Sequence, residues 1–102
     1  MFSIILNSSI RSFLRSKAHH LEPVLQIGKK GLNASVLDAI DKALYDHELI
    51  KIKFREYKGE KDDLAEKIIS LTSCSMVGKI GHTIILFRQN KNIDKRKINL
   101  PE

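Results

Sequence analysis

Cysteine occurs once in the 102 residues, at Cys74, so no internal disulfide can form and no thiolate-rich zinc site can be built. A reducing, intracellular and cytoplasmic setting is therefore expected rather than secretion. No apolar run approaches the roughly 18 residues that would cross a bilayer. Met1 to Leu6 is apolar but stops at Asn7, with no basic region before it and no small-residue cleavage site after it, so a signal peptide is not expected. Acidic residues are missing from positions 1–21, which hold Arg11, Arg15, Lys17 and several serines, the composition of a mitochondrial presequence. Internal repeats and low-complexity segments are also lacking. The length suits one core and one domain.

What the chain does carry is positive charge: 18 Lys and Arg against 12 Asp and Glu, a formal +6. The excess is uneven. Residues 1–21 hold three basic and no acidic side chains, residues 22–87 hold ten of each, and residues 88–102 hold five basic against two acidic. A polyanion-binding surface and a solubilising tail would both produce such an asymmetry.

Hydrophobic spacing divides the chain into alternating elements. Ile10, Phe13, Leu14 and Ala18 predict a helix over residues 9–20, capped by Ser8 or Ser9 and stopped before Pro23. Val24 to Ile27 reads as a short strand broken by Gly28-Lys29-Lys30-Gly31. From the cap Asn33, the residues Val36, Leu37, Ile40, Ala43 and Leu44 form one helical stripe. Ile50, Ile52 and Phe54 alternate with Lys51, Lys53 and Arg55, a strand with one apolar and one basic face. Leu64, Ile68 and Leu71 then predict a helix over residues 61–72. Met76 to Ile80 and Thr83 to Phe87 flank Gly81-His82 as a hairpin, and the unbroken apolar run Ile84 to Phe87 requires cover on both faces. The expected fold is α+β in two layers: a helix, then βαβαββ, with a mixed four-stranded sheet and helices mainly on one face. Residues 89–102 read as a basic tail with Ile98, Leu100 and Pro101 as docking points.

The Gly28-Lys29-Lys30-Gly31 loop joins a strand to a helix start. Glycines allow close backbone approach, a helix end offers free N–H groups, and two lysines add charge, which suits a phosphate. The spacing is neither a P-loop nor a dinucleotide fingerprint, and a plain solvated turn has the same composition. Lys51, Lys53 and Arg55 would project about 7 Å apart from one strand face. They could follow a nucleic-acid backbone or guard a sheet edge. Arg11 and Arg15 lie one helical turn apart, with His19 and His20 close by, and make a basic stripe. No motif supports catalysis, a metal or a cofactor: Cys74 lies beside an apolar helix end, no histidine pair has ligand spacing, and Asp62-Asp63 suits a helix dipole better than an acid/base dyad. Tyr45 and Tyr57 are the rings expected at the surface.

The motif of Ile10-Arg11, Leu14-Arg15, Ala18-His19, Leu21, Pro23, Ile27-Gly28-Lys29 and Gly31-Leu32 resembles the opening of the CRM domain (chloroplast RNA splicing and ribosome maturation) in its stand-alone bacterial YhbY form. Ile40-Asp41, Ala43-Leu44 and His47 to Lys53 resemble that family's second helix and strand. Ile80-Gly81 with Thr83 to Arg88 resembles its closing hairpin, and Ile98, Leu100 and Pro101 its ending. Residues 55–76 match in pattern only. The resemblance implies one domain over residues 9–101, with residues 1–8 as an extension, and a fold similar to the C-terminal domain of translation initiation factor 3. It also implies RNA binding at Gly28, Lys29, Lys30 and Gly31, and association with precursors of the large ribosomal subunit. Arg11, Arg15, His19, His20, Lys51, Lys53, Arg55 and Arg88 are the further contacts expected on that basis, from a monomer with no cofactor, no membrane and no small-molecule substrate. The competing expectation is a protein-interaction adaptor on ribosomal particles. Placing Arg11 to Leu21 inside the domain also argues against cleavage of a presequence there.

Overall fold

The computed structural model describes residues 6–101. Helix α1 spans Ser8–Ala18, strand β1 Leu25–Ile27, helix α2 Ala34–His47, strand β2 Leu49–Phe54, helix α3 Lys61–Thr72, strand β3 Ser75–Ile80 and strand β4 Thr83–Phe87; short 3-10 turns occupy Lys58–Glu60 and Ile93–Lys95. The strands lie in the order β1-β2-β4-β3, with β1 parallel to β2 and both other pairs antiparallel, giving the mixed four-stranded sheet expected. Side-chain amides set two helix starts. Asn33 accepts from the Val36 amide at 2.9 Å as anticipated, whereas α1 is capped by Asn7, at 2.8 Å from the Ile10 amide, and not by a serine. Asparagine caps as well as serine, so the helix begins one residue early.

Alternation along β2 and β4 sends side chains to two separate cores. Ile50, Ile52, Phe54, Ile84 and Leu86 pack with Ile40 and Leu44 of α2 and Ala65 and Ile68 of α3 on one face. On the other, Leu49, Ile85, Phe87 and Val77 pack against Leu6, Leu14 and Ala18, with Ile98 and Leu100 of the tail alongside. Two helices thus cover one face and α1 the other, and the apolar run of β4 is explained by its central position between them. Helix α1 is short, so part of its face stays open.

One core position departs from expectation. Leu71 is 64% exposed, and the inward stripe of α3 runs instead through Ala65, Ile68 and Thr72. The Thr72 hydroxyl donates to the Ile68 carbonyl at 2.7 Å, which lets a polar residue hold that core position. The tail is also fastened down. Glu48, fully buried at a left-handed φ of 65°, accepts from the backbone amides of Asn90, Lys97 and Ile98 at 2.5, 2.7 and 3.0 Å. Asn90 adds a bond from its side-chain amide to the Tyr45 carbonyl at 3.2 Å. Of the proposed extension, Leu6 packs with Leu14 and Ser8 opens α1, while residues 1–5 lie outside the described residues.

Candidate functional site

Because β1 and β2 are parallel, their C-terminal ends meet at one end of the sheet. The starts of α2 and α3 return there, as does the Gly81-His82 turn, whose His82 carbonyl accepts from the Phe54 amide at 2.8 Å. The Gly28-to-Gly31 loop crowns this end. It closes as a turn, the Gly31 amide donating to the Gly28 carbonyl at 3.0 Å. Gly31 has a φ of +68°, a conformation that favours glycine, and a Cβ there would meet the Tyr57 ring at a tight 3.3 Å. Tyr57, itself left-handed at φ 57°, donates its hydroxyl to the Lys29 carbonyl at 2.7 Å and fixes the loop from beneath. Gly28 differs. Nothing lies within 4 Å of a Cβ placed on it, and its φ is not in the left-handed region. Among the described residues Lys29 and Lys30 form no ion pair, and their backbone amides take part in no hydrogen bond outside regular elements. Both side chains are exposed.

The open part of the α1 face continues this surface. The sheet register aligns Gln26, Lys53, Thr83 and Ile80 across all four strands, and Lys53 and Ile80 are exposed. Arg55 donates to the Gln26 side chain. Lys51, half-buried, donates to the Leu21 carbonyl at 3.0 Å, which ties the end of the α1 segment to β2. Arg15 lies over Gly78, where a Cβ would come 3.3 Å from its Nε, so the missing side chain lets the guanidinium settle on the sheet. His19 and His20 stand exposed just past α1, their rings edge to face at 5.2 Å. The structure thus brings the loop, Lys53, Arg55, Lys51 and Arg15 onto the loop end and the α1 face of the sheet, with the histidine pair exposed just past α1.

Two expected contacts point elsewhere. Arg11 donates to the carbonyls of Met76 and Val77 on β3 and of Leu6, so its guanidinium fastens α1 to the sheet edge. Arg88 sits at the far end of the sheet, bonded to the Asp41 carboxylate at 2.6 Å, the Thr72 carbonyl at 2.8 Å and the Asp41 carbonyl at 3.0 Å. Shared residue type hides this: only tertiary position separates a structural arginine from a displayed one.

Titratable groups follow their surroundings. Burial pushes the Cys74 thiol up, which keeps it neutral and unreactive, and the Thr72 hydroxyl lies 3.3 Å from its sulfur. Desolvation, then the charges of Lys61 and Lys58, hold His82 below the ordinary imidazole value, with Lys61 Nζ 3.3 Å from its Nδ1. Asp62 is lowered by its hydrogen bond and charge pairing with Lys79 at 2.9 Å. Among the described residues no three His, Cys, Asp or Glu side chains gather as a metal site, and no helix is long and apolar enough to cross a membrane. Two features escaped the sequence: the brace from Tyr57, for which only its expected exposure was a hint, and the buried Glu48, which reads as an ordinary surface glutamate.

The fold and loop together define a small α+β domain that displays a glycine-flanked basic turn at the end of a mixed sheet. The CRS1 / YhbY (CRM) domain model matches residues 6–88, and the chain belongs to that family. It is 38% identical to the "Probable RNA-binding protein YqeI" of Bacillus subtilis over 95% of this chain and all of that one. It is also 38% identical to an RNA-binding protein of Haemophilus influenzae, over 94% and 95% of the two chains. The solution structure of the hypothetical protein SAV1595 from Staphylococcus aureus superposes with a TM-score of 0.77 at 35% identity, covering 95% of this chain and all of the other.

Proposed function

We propose that the protein binds RNA through the Gly28-to-Gly31 loop, acting by binding and not by catalysis, as a cytoplasmic monomer in assembly of the large ribosomal subunit. The observation that carries the reading is the asymmetry of the two loop glycines. Gly31 is required by the chain's own geometry, whereas Gly28 is required by nothing within the protein. A bare α-carbon beside two exposed lysines and free amides is what a phosphodiester needs to approach closely. The relatives named as RNA-binding proteins support the partner. The ribosomal part rests on the family resemblance.

Lys53, Lys51, Arg55, Arg15, His19 and His20 extend the contact as a positively charged track, so binding depends mainly on backbone charge and shape. Arg11 and Arg88, whose guanidiniums bond to other parts of the chain, are left out of the proposed track. The test is binding of ribosomal RNA by the Lys29→Ala/Lys30→Ala protein across a salt series. We expect weaker binding and a salt slope reduced by about one to two counterions. A folded double variant with unchanged affinity and slope rules out the loop. Protein capture on ribosomal particles without any affinity for naked RNA would instead support the adaptor.

A further inference from the structure

Next to the loop lies a half-open cleft of about 270 Å³ lined by Lys30, Gly31, Leu32, Tyr57, Leu64 and Lys67. Four separate stretches build it: the loop, the lead-in to α2, the turn after β2, and the outer face of α3. Its chemistry is mixed in a specific way. The Tyr57 ring is 43% exposed, yet its hydroxyl is held by the Lys29 carbonyl, so the ring is tethered in place rather than free to swing away. Leu32 and Leu64, packed against the core, give the cleft an apolar floor. Lys30 and Lys67 flank it, neither in an ion pair among the described residues, and no acidic side chain is among the lining residues.

A fixed ring and an apolar floor suit a flat aromatic group, and paired cations without a carboxylate suit a phosphate. A nucleotide combines the two. The volume falls below the usual range for drug-sized ligand pockets and admits a single base, not a stacked pair. We propose that the cleft is a single-nucleotide subsite, taking one unstacked base of single-stranded RNA against Tyr57 and Leu64 while Lys30 and Lys67 hold its phosphate. This rests on the RNA-binding reading and goes beyond it, because a backbone clamp needs no base at all. It makes the protein a reader of unpaired RNA.

The test compares a short single-stranded oligoribonucleotide with versions in which one internal base at a time is removed, measured by fluorescence anisotropy on the full chain. For the unaltered protein, one abasic position should weaken binding on the order of tenfold, the scale of a single base stacked on an aromatic side chain. Tyr57→Phe should keep that penalty, Tyr57→Ala should abolish it, and Lys67→Ala should weaken intact and abasic RNA alike. Lys29→Ala, a probe of the clamp alone, should weaken all RNAs and leave the abasic penalty in place. The proposal is overturned if no abasic position matters, if a folded Tyr57→Ala protein keeps the penalty, or if a free mononucleotide or an acidic peptide competes as well as the oligonucleotide. Failure of every RNA to bind the unaltered protein would remove the RNA-binding reading itself, and the subsite with it.

Discussion

The two ends of the sheet use charge in opposite ways. At the end where α2 and α3 finish, Arg88 is bonded to Asp41 and Thr72, Arg96 to the Asn90 carbonyl, and Glu48 to three backbone amides of the tail. At the end where those helices start, Lys29, Lys30, Lys53 and Lys67 are exposed and in no ion pair among the described residues. The first arrangement closes the chain on itself, and the second leaves unneutralised charge for a partner. Net charge cannot distinguish them. Residues 88–102 carry a net +3, and the ordered path of the tail over Glu48 shows that part of this excess decorates a structural segment.

The comparison can be broken at its strongest point first. Glu48→Ala would leave three amides at or near the buried region without an acceptor, at roughly 1 to 3 kcal/mol each if they stay dry. We expect a loss on the order of 3 kcal/mol in urea unfolding. Fast hydrogen exchange at Asn90, Lys97 and Ile98 should accompany it, with RNA affinity of the folded protein little changed. A large affinity loss without tail release would erase the division between the ends. The loop glycines give a finer separation. Gly31→Ala forces a side chain into φ +68° and against Tyr57, for a destabilisation of about 1 to 2 kcal/mol. Gly28→Ala should leave thermal stability within about 0.5 kcal/mol while weakening RNA binding. Equal effects of the two substitutions on stability would contradict that assignment.

The smallest effect concerns Asp62. Its carboxyl is held below its ordinary value in the folded protein by Lys79, so the pair contributes stability above the pKa of the unfolded carboxyl, and this is lost as pH falls through the folded value. Asp62→Asn should therefore lower the neutral plateau of a stability-against-pH profile slightly, since the pair is exposed, and leave the acid end, where Asp62 is protonated folded and unfolded, unchanged, so that the acid limb flattens. An unaltered acid limb would show the pair to be without consequence.

Much of the architecture was legible because local signals agreed with each other. Helix α3 occupies the residues expected, Asn33 caps α2, and the double-sided apolar run of β4 required the central position it holds. What escaped depends on contacts distant in sequence. Arg11 and Arg15 share a helix face by periodicity and both reach β3, yet Arg11 bonds the Met76 and Val77 carbonyls while Arg15 lies over Gly78, a difference that no local signal marks. Leu71 looked like a core residue until the hydroxyl of Thr72 found a partner in the preceding turn. Glu48 carries no local mark, because its acceptors' partners lie more than forty positions later in the chain. At the site, the loop itself was visible as a pattern, but its brace and the cleft beside it were not, since Tyr57, Leu64 and Lys67 meet only through folding.

The fastening of Arg11 to the Met76 and Val77 carbonyls has a second consequence, for assembly. Strand β3 is an outer strand, and an outer strand offers unpaired backbone groups to any extended segment of another copy. Here the Arg11 guanidinium bonds the Met76 and Val77 carbonyls and the register is broken between Met76 and Gly78, while the opposite margin, β1, is only three residues long. Neither border presents a long, regular ladder. Among the described residues the sheet is finite by construction, and its borders offer crowded copies of the chain no long, regular template for cross-β growth.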